Sequence, residues 1–315
     1  MAPYYMLLSS DLLAGAKFAR FIKAAYASLN RKRRRRMVAT AYEARILRVV
    51  DHLWANLDAP LDLDRLAEVA CFSPYHFHRL YRGITGETVA ETVRRLRLHR
   101  AAGALLASER PIAEIAATAG YGSQAAFTRA FAAYYGAAPG LYRQSAASAH
   151  QLEEKMVPVE TLYLPALPCL ALAHVGPEQH IDKAFETLAL HAAPRGLMTE
   201  TTRFFAVYYD DPTLVPAEAL RSHACLTVPP DTRAEPPLER LTVGGRRYAV
   251  ARFIGPYAEL ERAYHWLYST WLPQQGGEPG DAPCLEEYLN DPKQVPPAEL
   301  ETLIYIPLAE AGLQP

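Results

Sequence analysis

Glu286 and Tyr288 stand two apart in an apolar stretch that reads as a strand, so their side chains share one face while Leu285 and Leu289 take the other. With those leucines turned toward covering helices, Glu286 points into a crevice. Neighbouring segments supply Tyr208, Tyr257, Tyr264, Trp266 and Tyr305 as its walls. A carboxylate ringed by aromatic faces suits a lipophilic organic cation, through charge pairing and cation–π attraction. A Glu of raised pKa beside a Tyr hydroxyl could also activate water, which leaves a hydrolase open. No Ser-His-Asp set, metal cluster or phosphate loop stands beside them, so ligand binding is expected rather than turnover, with no cofactor.

The second set of residues lies on two short helical faces. Tyr75, His78, Arg79 and Arg82 share one; Gln124, Ala125, Thr128 and Arg129 share the other. Arg can bond both major-groove acceptors of guanine, Gln matches adenine and Thr can touch the thymine methyl. His76 and His78 are two apart on a helix and point to different sides, so no metal site is expected.

Two internal repeats must position these groups. In the first, Leu66-Ala67, Phe72-Ser73, Phe77, Arg79, Tyr81 and Gly86 return as Ile115-Ala116, Tyr121, Ser123, Phe127, Arg129, Phe131 and Gly136, the offset being 50 from Ser73 onward. Each copy reads as a helix-turn-helix. A short helix carries a small residue at the crossing point (Ala67, Ala116), and a second helix opens at Ser73 or Ser123 as N-cap. A buried stripe (Phe77, Leu80, Tyr81; Phe127, Ala130, Phe131) then runs at i, i+3, i+4. A helical pattern over 88–107 joins the copies rigidly, so one chain holds two readers about one DNA turn apart.

These residues resemble the DNA-binding domain of the AraC/XylS regulators over about residues 42–145. The second copy carries most of the likeness: Ile112, Ile115-Ala116, Gly120-Tyr121, Ser123, Phe127, Arg129, Phe131, Gly136, Pro139 and Tyr142-Arg143. The resemblance implies that Tyr75, His78 and Arg79, with Gln124, Ala125, Thr128 and Arg129, face the major groove of double-stranded DNA. Ala132 and Ala138 depart from its pattern, which has a Lys or Arg and a Ser or Thr there. A missing cation at 132 implies one phosphate contact fewer.

In the second repeat Ala171–Pro177 aligns with Val250–Pro256 at an offset of 79, and Phe205–Pro212 with Leu285–Pro292 at an offset of 80. Each unit reads strand, Gly-Pro turn, helix, strand, Asp-Pro break, strand. Paired about a pseudo-twofold, such units leave a crevice between them. Ala206 occupies the position of Glu286 in the first unit, so the site is expected to be asymmetric. This half resembles the GyrI-like effector-binding domains over residues 157–309, most clearly at Leu285-Glu286, Tyr288–Pro292 and Ile304, Ile306-Pro307. The resemblance implies a small-molecule effector, with Glu286 as the acidic pocket residue. It also leaves open a hydrolase acting on small electrophiles, or a protein-docking module.

The expected organisation is a basic or poorly ordered extension (1–39), an α domain of two helix-turn-helix subdomains (40–145), a linker (146–156) and a duplicated β-α-β-β α+β domain (157–310). Charge is split accordingly: residues 1–150 carry 21 Lys+Arg against 11 Asp+Glu, the remaining 165 carry 12 against 23. The excess is concentrated in the first 39 residues, including the run Arg31–Arg36. Cys71, Cys169, Cys225 and Cys284 are far apart and show no CxxC spacing, as in a reducing cytoplasm. No stretch approaches the roughly 18 uninterrupted apolar residues of a membrane span. Effector binding is expected to bias either the docking of the two halves or contacts with RNA polymerase.

Overall fold

The computed structural model describes residues 36–145, 159–275 and 278–309. Most of the expected extension and all of the expected linker lie outside the described residues, although helix α1 (Arg36–Ala55) begins inside the former. Helices α2 (Leu63–Val69) and α3 (Pro74–Thr85) form the first helix-turn-helix; α5 (Ile112–Thr118) and α6 (Gln124–Tyr135) form the second, followed by α7 (Pro139–Ser145).

Local chemistry explains the boundaries. The Asp62 carboxylate accepts from the Arg65 amide at 3.0 Å to start α2, and the Ser123 hydroxyl accepts from the Ala126 amide at 3.2 Å to start α6. Ser73 makes no such bond. There Pro74 at the first helical position removes one of the donors that a cap would have to satisfy. Both second helices end in left-handed glycines, Gly86 (φ 83°) and Gly136 (φ 76°). In the turns, Cys71 (φ 54°) takes the left-handed place that Gly120 (φ 75°) fills in the second copy, a strain of about 1–2 kcal/mol.

Helix α4 (Val89–Ala107) joins the two copies and opens with a reciprocal capping box between Thr88 and Glu91. Its buried residues divide between two cores. Val89, Val93 and Leu96 pack with Phe77, Tyr81, Leu66 and the α1 residues Ile46 and Val49. Leu98, Ala101, Ala102 and Leu105 pack with Phe127, Phe131, Ile115 and Ala116. A helix belonging to both cores cannot bend between them without opening one.

The second half is an eight-stranded antiparallel sheet in the order β1-β6-β8-β7-β3-β4-β2-β5. Its strands are β1 (Glu160–Leu164), β2 (Leu167–Val175), β3 (Phe204–Tyr208), β4 (Arg221–Thr227), β5 (Glu239–Val243), β6 (Arg246–Ile254), β7 (Cys284–Tyr288) and β8 (Glu301–Pro307). The β-α-β-β units are as expected, with α8 (Ile181–Ala192) and α9 (Leu260–Trp266) in corresponding places. Each unit has one more strand than the repeat disclosed. β1 pairs with β6 of the other unit, and β5 pairs with β2, so each unit lends its first strand to its partner. The two arms touch where the Gly245 amide donates to the Leu164 carbonyl at 2.8 Å. Gly244 (φ 89°) has no room for a Cβ against the Pro165 carbonyl.

Both faces of this sheet are buried. One lies under α8 and α9. The other gathers side chains from all eight strands, among them Leu164, Phe205, Cys225, Val243, Tyr248, Leu285 and Tyr305. Leu285 is therefore on the helix-free face, and Glu286 lies under the helices, the reverse of the expected placement.

Candidate functional site

The eight residues expected to face DNA lie on the outward sides of two helices, α3 and α6. Tyr75 is 66% exposed, and His78, Arg79, Arg82, Gln124, Ala125 and Arg129 are all exposed, with Thr128 half-buried at the edge. Arg79 donates to the Tyr75 hydroxyl at 2.7 Å, and its guanidinium stands 5.4 Å from the centre of the ring, which pre-orders both groups one helical turn apart. Among the described residues no carboxylate is within ion-pair distance of Arg79 or Arg129, so neither is held as an internal brace. Phe77 and Phe127, on the opposite faces, are fully buried and fix the rotation of each helix.

The carboxylate site grows from the central strand pair. Ala206 on β3 directly opposes Glu286 on β7, and these are equivalent positions of the two units. The pseudo-twofold axis passes between them, and Glu286 projects along it beneath the helices. Glu286 is 4% exposed. It accepts from the Tyr288 hydroxyl at 2.7 Å and, more weakly, from the Tyr208 hydroxyl at 3.4 Å. Tyr208 and Tyr288 are themselves repeat equivalents, and their hydroxyls lie 3.2 Å apart. Two related tyrosines thus converge on a single acid, with an alanine where symmetry would place the second.

Burial pushes the Glu286 carboxyl up to about 7, against the opposing effect of the tyrosine hydrogen bonds. Glu178, in the turn after Gly176-Pro177, is also pushed up to about 7, first by burial and then by the negative charge of Glu286. Sequence reasoning missed Glu178; its place directly after the Gly-Pro turn was the available signal. Tyr257 stacks edge-on to Tyr288 at 5.2 Å, as does Phe185 at 5.3 Å. The buried Tyr264 hydroxyl lies near enough to Glu286 to stabilise its charge, yet has no hydrogen-bond partner of good geometry.

One expected wall residue is placed elsewhere. Tyr305 pairs in register with Leu285 and lies on the helix-free face, where its hydroxyl donates to Glu287 at 2.7 Å. Arg203 completes that group with bonds of 2.6 and 2.7 Å to the two Glu287 oxygens. The cause is strand parity: 286 and 305 fall on opposite faces once β7 and β8 are paired. Trp266, on α9, packs with Ala249, Phe253 and Leu267 in the cluster that also takes Tyr257 and Tyr264.

A model of the GyrI-like small molecule binding domain matches residues 158–309, and a helix-turn-helix domain model matches residues 66–145. The chain belongs to the AraC/XylS family, with a C-terminal GyrI-like domain. This AraC/XylS chain is 40% identical over 93 residues to the right origin-binding protein of Escherichia coli K12, a match covering 30% of this chain and 32% of that one. It is 30% identical over 155 residues to the probable transcriptional regulator YgiV of the same organism, covering 48% of this chain and 96% of YgiV. The regulatory protein SoxS of Salmonella typhimurium is 35% identical over 95 residues, covering 30% and 89% respectively. The chain thus spans about a third of the length of the first of these relatives. No helix among the described residues is long and apolar enough to cross a membrane.

Proposed function

We propose that this protein is a transcription regulator that reads a bipartite DNA sequence as a monomer and responds to a small lipophilic cation bound at Glu286. One observation carries the DNA half of this reading: two exposed helices, α3 and α6, are fixed to the two ends of a single α4. At ~1.5 Å per residue its 19 residues span roughly 28 Å, comparable with the ~34 Å of one DNA turn. The ligand half is supported by a carboxylate that is buried beneath tyrosine rings with no cationic partner among the described residues. An entering cation would supply the missing charge and lie against aromatic faces.

Selection of bound duplexes from a random pool at moderate ionic strength should converge on two half-sites about one turn apart. Recovery of no preferred sequence would overturn the regulator reading. Equilibrium dialysis with tetraphenylphosphonium should show saturable binding abolished by Glu286→Gln, with the cation recovered unchanged. Chemical conversion of an electrophilic ligand by the same pocket would favour the hydrolase instead.

A further inference from the structure

The two halves are docked through α4, and the contact lies directly over the carboxylate. Arg95, 7% exposed on α4, binds Glu87 at 2.7 Å within its own half, and reaches Glu186 at 3.0 Å and Asp182 at 3.9 Å on α8. One turn further, His99 meets the Tyr257 ring edge-on at 6.4 Å. Another turn on, Gly103 faces the loop that carries Glu178: a Cβ there would stand 2.6 Å from the Gln179 side chain. On the flanks, Lys183 pairs with Asp51 at 2.8 Å, Trp54 meets His180 edge-on at 5.4 Å, and Lys293 donates to the Thr85 carbonyl at 3.2 Å.

The docking follows the two repeats. Leu190 of α8, in the first sensor unit, completes the core of the first helix-turn-helix. Ala258, beside α9 in the second unit, packs on the core of the second. The apolar contacts thus pair each reader with one sensor unit, Lys293 of the second unit reaches across to Thr85 of the first reader, and α4 bridges the two units. Beneath it the site is shut. Tyr257 is clamped between His99 above and Tyr288 below, and Tyr288 is bonded to Glu286. From the α4 side, a molecule the size of an organic cation reaches Glu286 by displacing Tyr257 or Tyr288, and His99 on α4 stands in the outward path of Tyr257.

We propose that α4 is the lid of the effector pocket, so that docking of the DNA-reading half and occupation of the site by ligand exclude each other. A ligand that enters must part the two sensor units from α4, and with them the two readers they hold. The nature of the ligand rests on the function proposed above; the closure does not. By mass action, the observed affinity is the intrinsic one reduced by the fraction of molecules whose lid is open.

The test uses the full chain and two variants outside the pocket: Glu186→Ala, which weakens the hold on Arg95, and Gly103→Leu, which wedges α4 from the Gln179 loop. Amide hydrogen exchange should quicken at 257–266 and 284–288 in both variants, while the arm at 239–250 keeps the wild-type rate. Unchanged exchange at 257–266 overturns the lid. Tetraphenylphosphonium should bind both variants more tightly than wild type, by roughly tenfold for a tenfold rise in the open fraction. Equal or weaker binding overturns the exclusion. If the cation binds none of the three proteins while exchange quickens as expected, the cation reading fails and the lid stands.

Discussion

Replacing Glu286 by glutamine separates what the site does for the fold from what it does for a ligand. The amide oxygen can still accept from the Tyr288 hydroxyl, so packing and one hydrogen bond persist and the charge is lost. In the wild type the carboxyl is held at about 7 against an ordinary 4.5, chiefly by burial. A carboxyl whose pKa is raised on folding is bound to a proton in the native state over a range where the unfolded chain has lost it. Stability therefore falls as pH rises from about 4.5 to about 7 and is level beyond. At ~1.4 kcal/mol per pKa unit, the ionised Glu286 destabilises the empty protein by about 3 kcal/mol above pH 7.

Glu286→Gln should recover that amount. Urea unfolding of the two proteins, followed by circular dichroism, should give similar stability near pH 4.5 and a growing advantage for the variant up to about pH 7.5. Taking the difference between variant and wild type cancels the titrating groups that do not feel Glu286; Glu178, which does, is relieved of a neighbouring charge in the variant and adds to the advantage in the same sense. A variant less stable than wild type at pH 8, or a difference independent of pH, would refute the desolvated-carboxylate reasoning. Ligand binding should move the other way, because the same change removes the counter-charge of the cation.

Tetraphenylphosphonium affinity of the wild type should rise with pH through about 7 and then level off, since the cation binds the carboxylate and displaces its proton; a flat profile from pH 5 to 8 would count against Glu286. Tyr288→Phe removes the shortest hydrogen bond to that carboxylate and should shift the same rise to higher pH, measured in the same titration. Arg203→Met leaves Glu287 buried without its cation and should cost about 3–5 kcal/mol in unfolding experiments, with cation affinity unchanged because the pair sits on the other face of the sheet. Arg129→Ala should lower specific DNA affinity by about 1–3 kcal/mol and relax preference at one base pair; an equal loss on every sequence would make it a phosphate contact.

The helical half was legible because its signals are local. The spacing of Phe77 and Tyr81, repeated in Phe127 and Phe131, sets the buried side of each second helix, and the exposed side follows. In the sensor half the order of elements was legible from the Gly-Pro and Asp-Pro breaks. The lent strands β1 and β5 were missed, although Leu162 and Leu164 recur as Leu241 and Val243 at the same offset of 79. The orientation of the sheet was not legible at all. Alternation names the core face only when the other face is wet. Here Leu285 and Tyr305 line one buried core while Ala206 and Ile304 line another. That is why Tyr305 was assigned to the wrong side, and why Glu286 could be found by type and neighbours without the helices above it. Docking through Arg95, Glu186 and His99 joins residues some 90 positions or more apart and leaves no local trace.

The pairing of a duplicated reader with a duplicated sensor has a mechanical consequence. In a single unit, a ligand shifting one helix would move one reading head and leave the other where it was. Here the Glu286 carboxylate stands at the axis that relates the sensor units and passes between Ala206 and Glu286, so a ligand that parts the units would displace α8 and the 257–259 turn in opposite senses. Those are the elements against which the first and second readers pack, through Leu190 and Ala258. Because α4 belongs to both reader cores, it resists bending, and the strain is borne instead at the docking contacts: the Arg95 cluster, the His99–Tyr257 edge and the Lys183–Asp51 pair. These contacts are polar or edge-on, with few apolar side chains crossing between the halves, and that is the kind of interface a bound cation can open without unfolding either domain.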